Sequence, residues 1–176
     1  MTPGRAIMLA NAVPTAIVER HLDAFAHFGV HDVTLVARFE QPLRLQIRDR
    51  VRFVSNRFHG SANTVFSLWL ARDVLRRGAL IVNGGTSLSP ETIGRVLDAS
   101  VPDAVLGSLV PEDRIVELAK VGPEGGRWLV RHIEALIAGG ASDAGASIAF
   151  HSLAKRWPMQ LVHVLNVSPV QLRAAV

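Results

Sequence analysis

The sequence predicts an α/β fold: three layers, α/β/α, around a mostly parallel sheet. Three observations predict it. Short apolar runs suited to buried strands alternate with amphipathic helical patterns over about the first hundred residues, the signature of βαβ units. The helical patterns carry start and stop signals, with Pro14-Thr15 and Ser89-Pro90-Glu91 at starts and Gly29 at a stop. Apolar residues make up 49% of the 176 and charged ones 19%, which suits one domain with a sizeable core and excludes a disordered chain.

Residues 5–10, RAIMLA, are the first apolar run. The run is too short and too poorly flanked for a signal peptide, so a buried strand is expected. In the next segment, PTAIVERHLDAFAHFG, Val18, Leu22 and Phe25 share one helical face. HDVTLVA (31–37) and VRFVSN (51–56) read as the second and third strands. Between them EQPLRLQIRDR reads as a short amphipathic helix or irregular segment. SANTVFSLWLARDVLRR reads as one long helix capped by Ser61, with Val65, Leu68, Trp69 and Leu75 inward. ALIVNG is a fourth strand, and Ser89 caps the helix after it.

The second half is less regular. Residues 103–110 and 113–120 read as closely spaced strands, hence an antiparallel pair. PEGG reads as a turn and RWLVRHIEALIAGG as a helix stopped by glycines. AGASIAFHSLAKRW is a further helix that ends before Pro158, MQLVHVLNV a last strand, and SPVQLRAAV a last helix start. There is no internal repeat and no low-complexity segment.

Composition narrows the function classes. No apolar run reaches the length of a membrane span, and with no cysteine there is neither a disulfide framework nor a thiolate metal site. The cytoplasm is the expected location. The net charge of +4 is carried almost wholly by arginine, Lys120 and Lys155 being the only lysines. That balance suits anionic ligands without requiring nucleic acid. Arg44, Arg48, Arg50, Arg52 and Arg57 crowd one region, yet Phe53 and Phe58 are the only aromatics near them and Phe53 is expected in the core. Stacking platforms for bases are scarce, so this stripe reads as a solvated basic face and nucleic acid is not an expected partner.

In an open parallel sheet, ligands bind beyond the carboxyl ends of the strands. Those ends here are Ala10-Asn11, Ala37-Arg38, Asn56, Asn83-Gly84-Gly85 and Asn166. They hold amides and glycine and no carboxylate. A pocket there is built to hydrogen-bond rather than to hold a divalent metal. His27 and His31 are four residues apart but lie on either side of the helix stop at Gly29, and there is no H-E-x-x-H motif. There is no Gly-x-Ser-x-Gly elbow, and NGG and PEGG are too short for a phosphate-binding loop.

The succession AIMLA, IVERHLDAFAHFGVHDVTLVA, VRFVSN, SANTVFSLWLARDVL, ALIVNGG and DRIVELAK resembles the nucleotidyltransferases that activate sugar phosphates or phosphocholine with a nucleoside triphosphate. The phosphocholine cytidylyltransferase-like branch is the nearest, because SANTVFSLWLA is similar to its helix start. The resemblance spans most of the chain, and it rests on the order of several motifs. It implies a Rossmann-like, GT-A-like domain over 1–176. That domain would have a strand–helix core over 5–110, a shortened acceptor region over 111–145 and a C-terminal helix–strand–helix over 145–176.

The departures from the family pattern bear on activity. The family follows its first strand with a long glycine-rich loop holding Gly-x-Gly-x-Arg and a later Pro-Lys, whose amides and basic groups cradle the triphosphate. Here only NAVPT separates strand from helix. By the resemblance, Gly85 stands where the family has its first metal-binding Asp, and Asn166, in VLNVSP, stands near the second. Nucleotidyl transfer needs charge neutralisation at the α-phosphate, by Mg²⁺ and basic groups. The expectation is therefore a degenerate member without metal-dependent transfer.

The residues that resemblance and strand-end placement single out for ligand binding are Asn11, Asn63, Thr64, Asn83, Gly84, Gly85, Lys120 and Asn166. If any catalysis survives, Lys120, Asp143 and His59 are the groups for it. Each has a plainer reading: Lys120 as a solvated strand-end lysine, Asn63 and Thr64 as part of a helix cap, Asp143 as an N-cap, and His59 as one of several structural or surface histidines. No cofactor is expected, and Mg²⁺ only if transfer is retained. The expected partners are a small anionic or nucleotide-like ligand and either a second copy or a paralogous enzyme, which would cover apolar surface left by the missing loop. The alternatives are an enzyme with metal-independent chemistry on the same scaffold, then an active nucleotidyltransferase, then an RNA-binding module.

Overall fold

The structure is a computed structural model that describes residues 4–10, 13–38, 47, 49–57, 64–84, 87–100, 104–107, 118–142, 144–156 and 160–163. Seven strands lie among them: β1 (Arg5–Leu9), β2 (Asp32–Ala37), β3 (Arg52–Ser55), β4 (Ala79–Asn83), β5 (Ala104–Gly107), β6 (Leu118–Val121) and β7 (Gln160–His163). They form one sheet in the order β3-β2-β1-β4-β6-β5-β7. β1 pairs in parallel with β2 and β4, β2 with β3, and β5 with β7. β6 runs antiparallel to both its neighbours, β4 and β5. The expected antiparallel pair is present, with Ala104 opposite Lys120 and Val105 opposite Ala119.

The helices of the described residues are α1 (Thr15–His27), α2 (Thr64–Leu70), α3 (Arg72–Leu75), α4 (Pro90–Leu97), α5 (Pro123–Ala138) and α6 (Ala146–Arg156). Strand alternation divides the core between two faces. Ala6 and Met8, Val33 and Leu35, and Leu80 and Val82 meet α1 and α4 through Val18, Leu22, Phe25, Ile93 and Val96. Ile7 and Leu9, Val36, Ile81 and Ala119 meet the other four helices through Val65, Leu68, Leu75, Leu129, Ile133 and Phe150. These are the three layers that the sequence predicts. No helix of the described residues is long and apolar enough to cross a membrane.

Local signals place most boundaries. α1 stops at Gly29, where Val30 N–H reaches Phe25 O at 2.9 Å and Gly29 N–H reaches Ala26 O at 3.0 Å, so the last turn keeps its carbonyls satisfied. Ser89 Oγ accepts from Thr92 N–H at 3.2 Å, with Pro90 in the first helical position and Glu91 in the first turn of α4.

Two boundaries differ from expectation. The long helix predicted across 61–77 is two, broken at Ala71. There Ala71 N–H bonds Leu68 O and Val74 N–H bonds Ala71 O, a tightened i to i−3 pattern. Arg72 lies 4.2 Å over the Trp69 ring and donates to Trp69 O at 3.2 Å, taking over a carbonyl the break would leave free. The PEGG turn is instead the first turn of α5. Pro123 at its start and Glu124 beside it are helix-start residues, and Gly126 serves packing. A Cβ on Gly126 would collide with Leu75 O, so only glycine lets α5 pass the end of α3 this closely. The strand expected over 113–120 is described from Leu118, and the helix start at 168–176 lies outside the described residues.

Candidate functional site

Strand order reverses between β1 and β4: β2 and β3 build outward on one side of β1, and β4 begins the other side. Such a switch point is where open α/β sheets take ligands, beyond the carboxyl ends of the strands. At this end Gly84 N–H donates to Leu9 O at 2.8 Å, extending the β1–β4 ladder by one residue. A Cβ on Gly84 would meet Leu9 O at 2.9 Å and Val13 Cγ2 at 3.1 Å. Val13 is only 3% exposed. The short link from β1 to α1 thus lays an apolar side chain directly on the end of β4.

Three solved structures share this architecture. CTP:phosphocholine cytidylyltransferase from Streptococcus pneumoniae superimposes with a TM-score of 0.68 at 12% identity, over 92% of this chain and 90% of that one. 2-C-methyl-D-erythritol 4-phosphate cytidylyltransferase from Thermus thermophilus gives 0.61 at 15%, over 90% and 88%. A 4-diphosphocytidyl-2C-methyl-D-erythritol synthase gives 0.62 at 14%, over 97% and 95%. The fold is that of the cytidylyltransferases. No family model and no curated protein sequence matches the chain.

Within this nucleotidyltransferase-like fold, the sequence-derived candidates separate. Asn83 and Gly84 stand together at the switch point. Asn83 shares a face of β4 with Ile81, toward α2 and α5, and is half-buried. Thr64 opens α2 in that same helical layer, where its Oγ1 accepts from Ala146 N–H at 2.6 Å, while Val65 N–H donates to Ala144 O at 3.2 Å. Thr64 therefore joins the starts of α2 and α6. Asn11, His59, Asn63, Gly85, Asp143 and Asn166 lie outside the described residues.

Lys120 is elsewhere. Because β6 is antiparallel, its end lies beside the start of β4, with Lys120 opposite Leu80. Asn83 is three residues further along β4, about 10 Å at the usual strand rise. Directly opposed residues share a face, so Lys120 is on the α1/α4 side with Leu80, and Asn83 is on the other. Its side chain is 2% exposed, and its Nζ donates to Leu97 O at 3.1 Å and Ala99 O at 2.6 Å. An ammonium at these carbonyls satisfies orphan acceptors at the end of α4 and lies at the negative end of its dipole. It is not the solvated lysine of the plainer reading, and it is not brought to the strand ends.

Asn56, at the end of β3, is turned inward as well: its Nδ2 donates to Ser67 Oγ at 2.9 Å inside the protein, which joins β3 to α2. The arginine stripe is partly paired, Arg50 with Asp23 at 2.9 Å and Arg52 with Asp32 at 4.0 Å, while Arg57 is exposed. Phe53 packs against the core as expected.

Sequence reasoning did not single out Val13, Arg20 or His21. His21 is fully buried and accepts from Leu88 N–H through Nε2 at 3.3 Å. Burial, and secondarily the neighbouring Arg20 charge, lowers its pKa from 6.5 to about 4, so it is neutral at pH 7. The signal was available: position 21 lies three after Val18 and four before Phe25, on the apolar face of α1.

Among the described residues, a magnesium ion, which the family resemblance implies, finds a poor donor set. The described end of β4 offers the neutral amide oxygen of Asn83 and no carboxylate, and no group of three or more His, Asp or Glu among the described residues can hold a metal.

Proposed function

We propose that this chain is a degenerate nucleotidyltransferase-like protein. It keeps the cytidylyltransferase scaffold, lacks metal-dependent transfer, and serves as a small-molecule-binding or partner subunit. The observation that carries the reading is the seating of Val13 on Gly84 at the switch point. A ligand entering there meets an apolar side chain and a backbone already paired to Leu9 O, where transfer chemistry needs basic groups and metal-held charge. The neutral Asn83-Gly84-Gly85 strand end supports the same reading, because these residues hydrogen-bond without fixing a divalent cation. The ligand class they suit is a small anion or nucleotide-like molecule held through amides. The partner is a second copy or a paralogous active enzyme.

The test combines binding and turnover. The purified chain is incubated with CTP, UTP, ATP, GTP or dTTP, with and without Mg²⁺, and melting temperature and pyrophosphate release are both followed. A bound nucleotide raises the melting temperature by mass action. The expected result is no Mg²⁺-dependent shift and no pyrophosphate with phosphorylated acceptors such as phosphocholine. Release of pyrophosphate that chelation abolishes would overturn the reading and restore an active transferase.

A further inference from the structure

Two adjacent residues of α1 hold the chain as it returns from the strand ends. Arg20 Nη1 donates to Ser87 Oγ at 2.8 Å, and His21 Nε2 accepts from Leu88 N–H at 3.3 Å. Leu88 is 2% exposed and His21 fully buried. The other end of the same segment is fixed by Gly84 N–H on Leu9 O. Both anchors come from the β1–α1 unit.

The imidazole pays a chemical cost for this contact. Because Nε2 accepts, the neutral ring carries its proton on Nδ1, and Nδ1 is buried with no hydrogen-bond partner among the described residues. The ring is stacked on Phe25, with centroids 6.2 Å apart and planes 14° from parallel. The observed arrangement gives up the Nδ1–H bond and keeps the acceptor for Leu88.

We propose that His21, assisted by Arg20, is a positioning residue that latches the Ser87–Leu88 limb onto α1, so that the strand-end segment and α1 move as one body. The latch holds whether or not the strand ends take a ligand, so its test is separate from that of the proposed function.

The test reads the whole chain at pH 7 by amide hydrogen exchange and by ¹⁵N resonances of the imidazole. The expected signature is a neutral His21 with its proton on Nδ1. His21→Ala should speed exchange at the Leu88 amide at least about tenfold relative to Ile81 and Val82 in β4, as expected when one buried bond that limits local opening is lost. His21→Gln, whose side-chain oxygen reaches the Nε2 position, should restore much of the protection. An Nε2–H tautomer in the unmodified protein would overturn the proposal without any variant. So would a Leu88 amide in His21→Ala that keeps its original rate, or that speeds up only as much as those of Ile81 and Val82.

Discussion

Replacing Lys120 by methionine separates two roles for that residue. The substitution keeps most of the aliphatic stem and removes the ammonium. Nζ holds Leu97 O and Ala99 O, and the side chain is 2% exposed, so both acceptors lose a buried donor. An unsatisfied buried carbonyl costs about 1–3 kcal/mol, which gives roughly 2–6 kcal/mol for the pair. Relief from burying a charge returns part of that. The net expectation is a loss of about 2–4 kcal/mol, or a drop in Tm of roughly 4–16 °C for a chain of this length. Calorimetry on both proteins supplies the shift, and the nucleotide panel run on both supplies the second readout. A Tm within about a degree of the parent, together with loss of a nucleotide response that the parent shows, would refute the helix-end role and return Lys120 to the phosphate-facing role that the resemblance implies.

Three further outcomes are expected. His21 has a folded pKa of about 4 against 6.5 for the free group, so its neutral form stabilises the protein fully above pH 6.5, and that stability is lost as pH falls toward 4. The total is about 3 kcal/mol, and urea unfolding across this range should show a slope that His21→Gln flattens. Gly126→Ala drives a Cβ into Leu75 O, so denaturant midpoints should report a loss of about 1–3 kcal/mol despite the helix-propensity gain. Ser89→Ala removes the cap on Thr92 N–H and should cost about 1 kcal/mol, with faster amide exchange confined to the first turn of α4.

Much of the fold was legible because it follows from local rules. Period-2 and period-3.6 patterns name strands and helix faces, so RAIMLA, DVTLVA and ALIVN were readable as strands, and the stretch after Ser89-Pro90-Glu91 as a helix, before any contact was known. Where the reading missed, the deciding contact was distant in sequence or lay between side chains. The glycines of PEGG look like a turn until Leu75 O is brought against Gly126. At the helix break at Ala71, Arg72 reaches over Trp69. Neither contact leaves a periodic trace.

By itself, then, the sequence determined the layer architecture, the Ser89 cap, the stop at Gly29, and a β4 strand end of amide and glycine without an acid. Each depends on residue type at a given spacing, which is a one-dimensional property. Only the tertiary structure decided which candidates share a place. An antiparallel β6 between β4 and β5 inverts that strand, so that Lys120, read as a strand-end lysine, lies beside the start of β4 and on the opposite face from Asn83. The same holds for Val13 on Gly84 and for His21 beneath Leu88. Strand direction and long-range packing are set by which surfaces bury together, and that choice is made by the whole chain rather than by any segment of it.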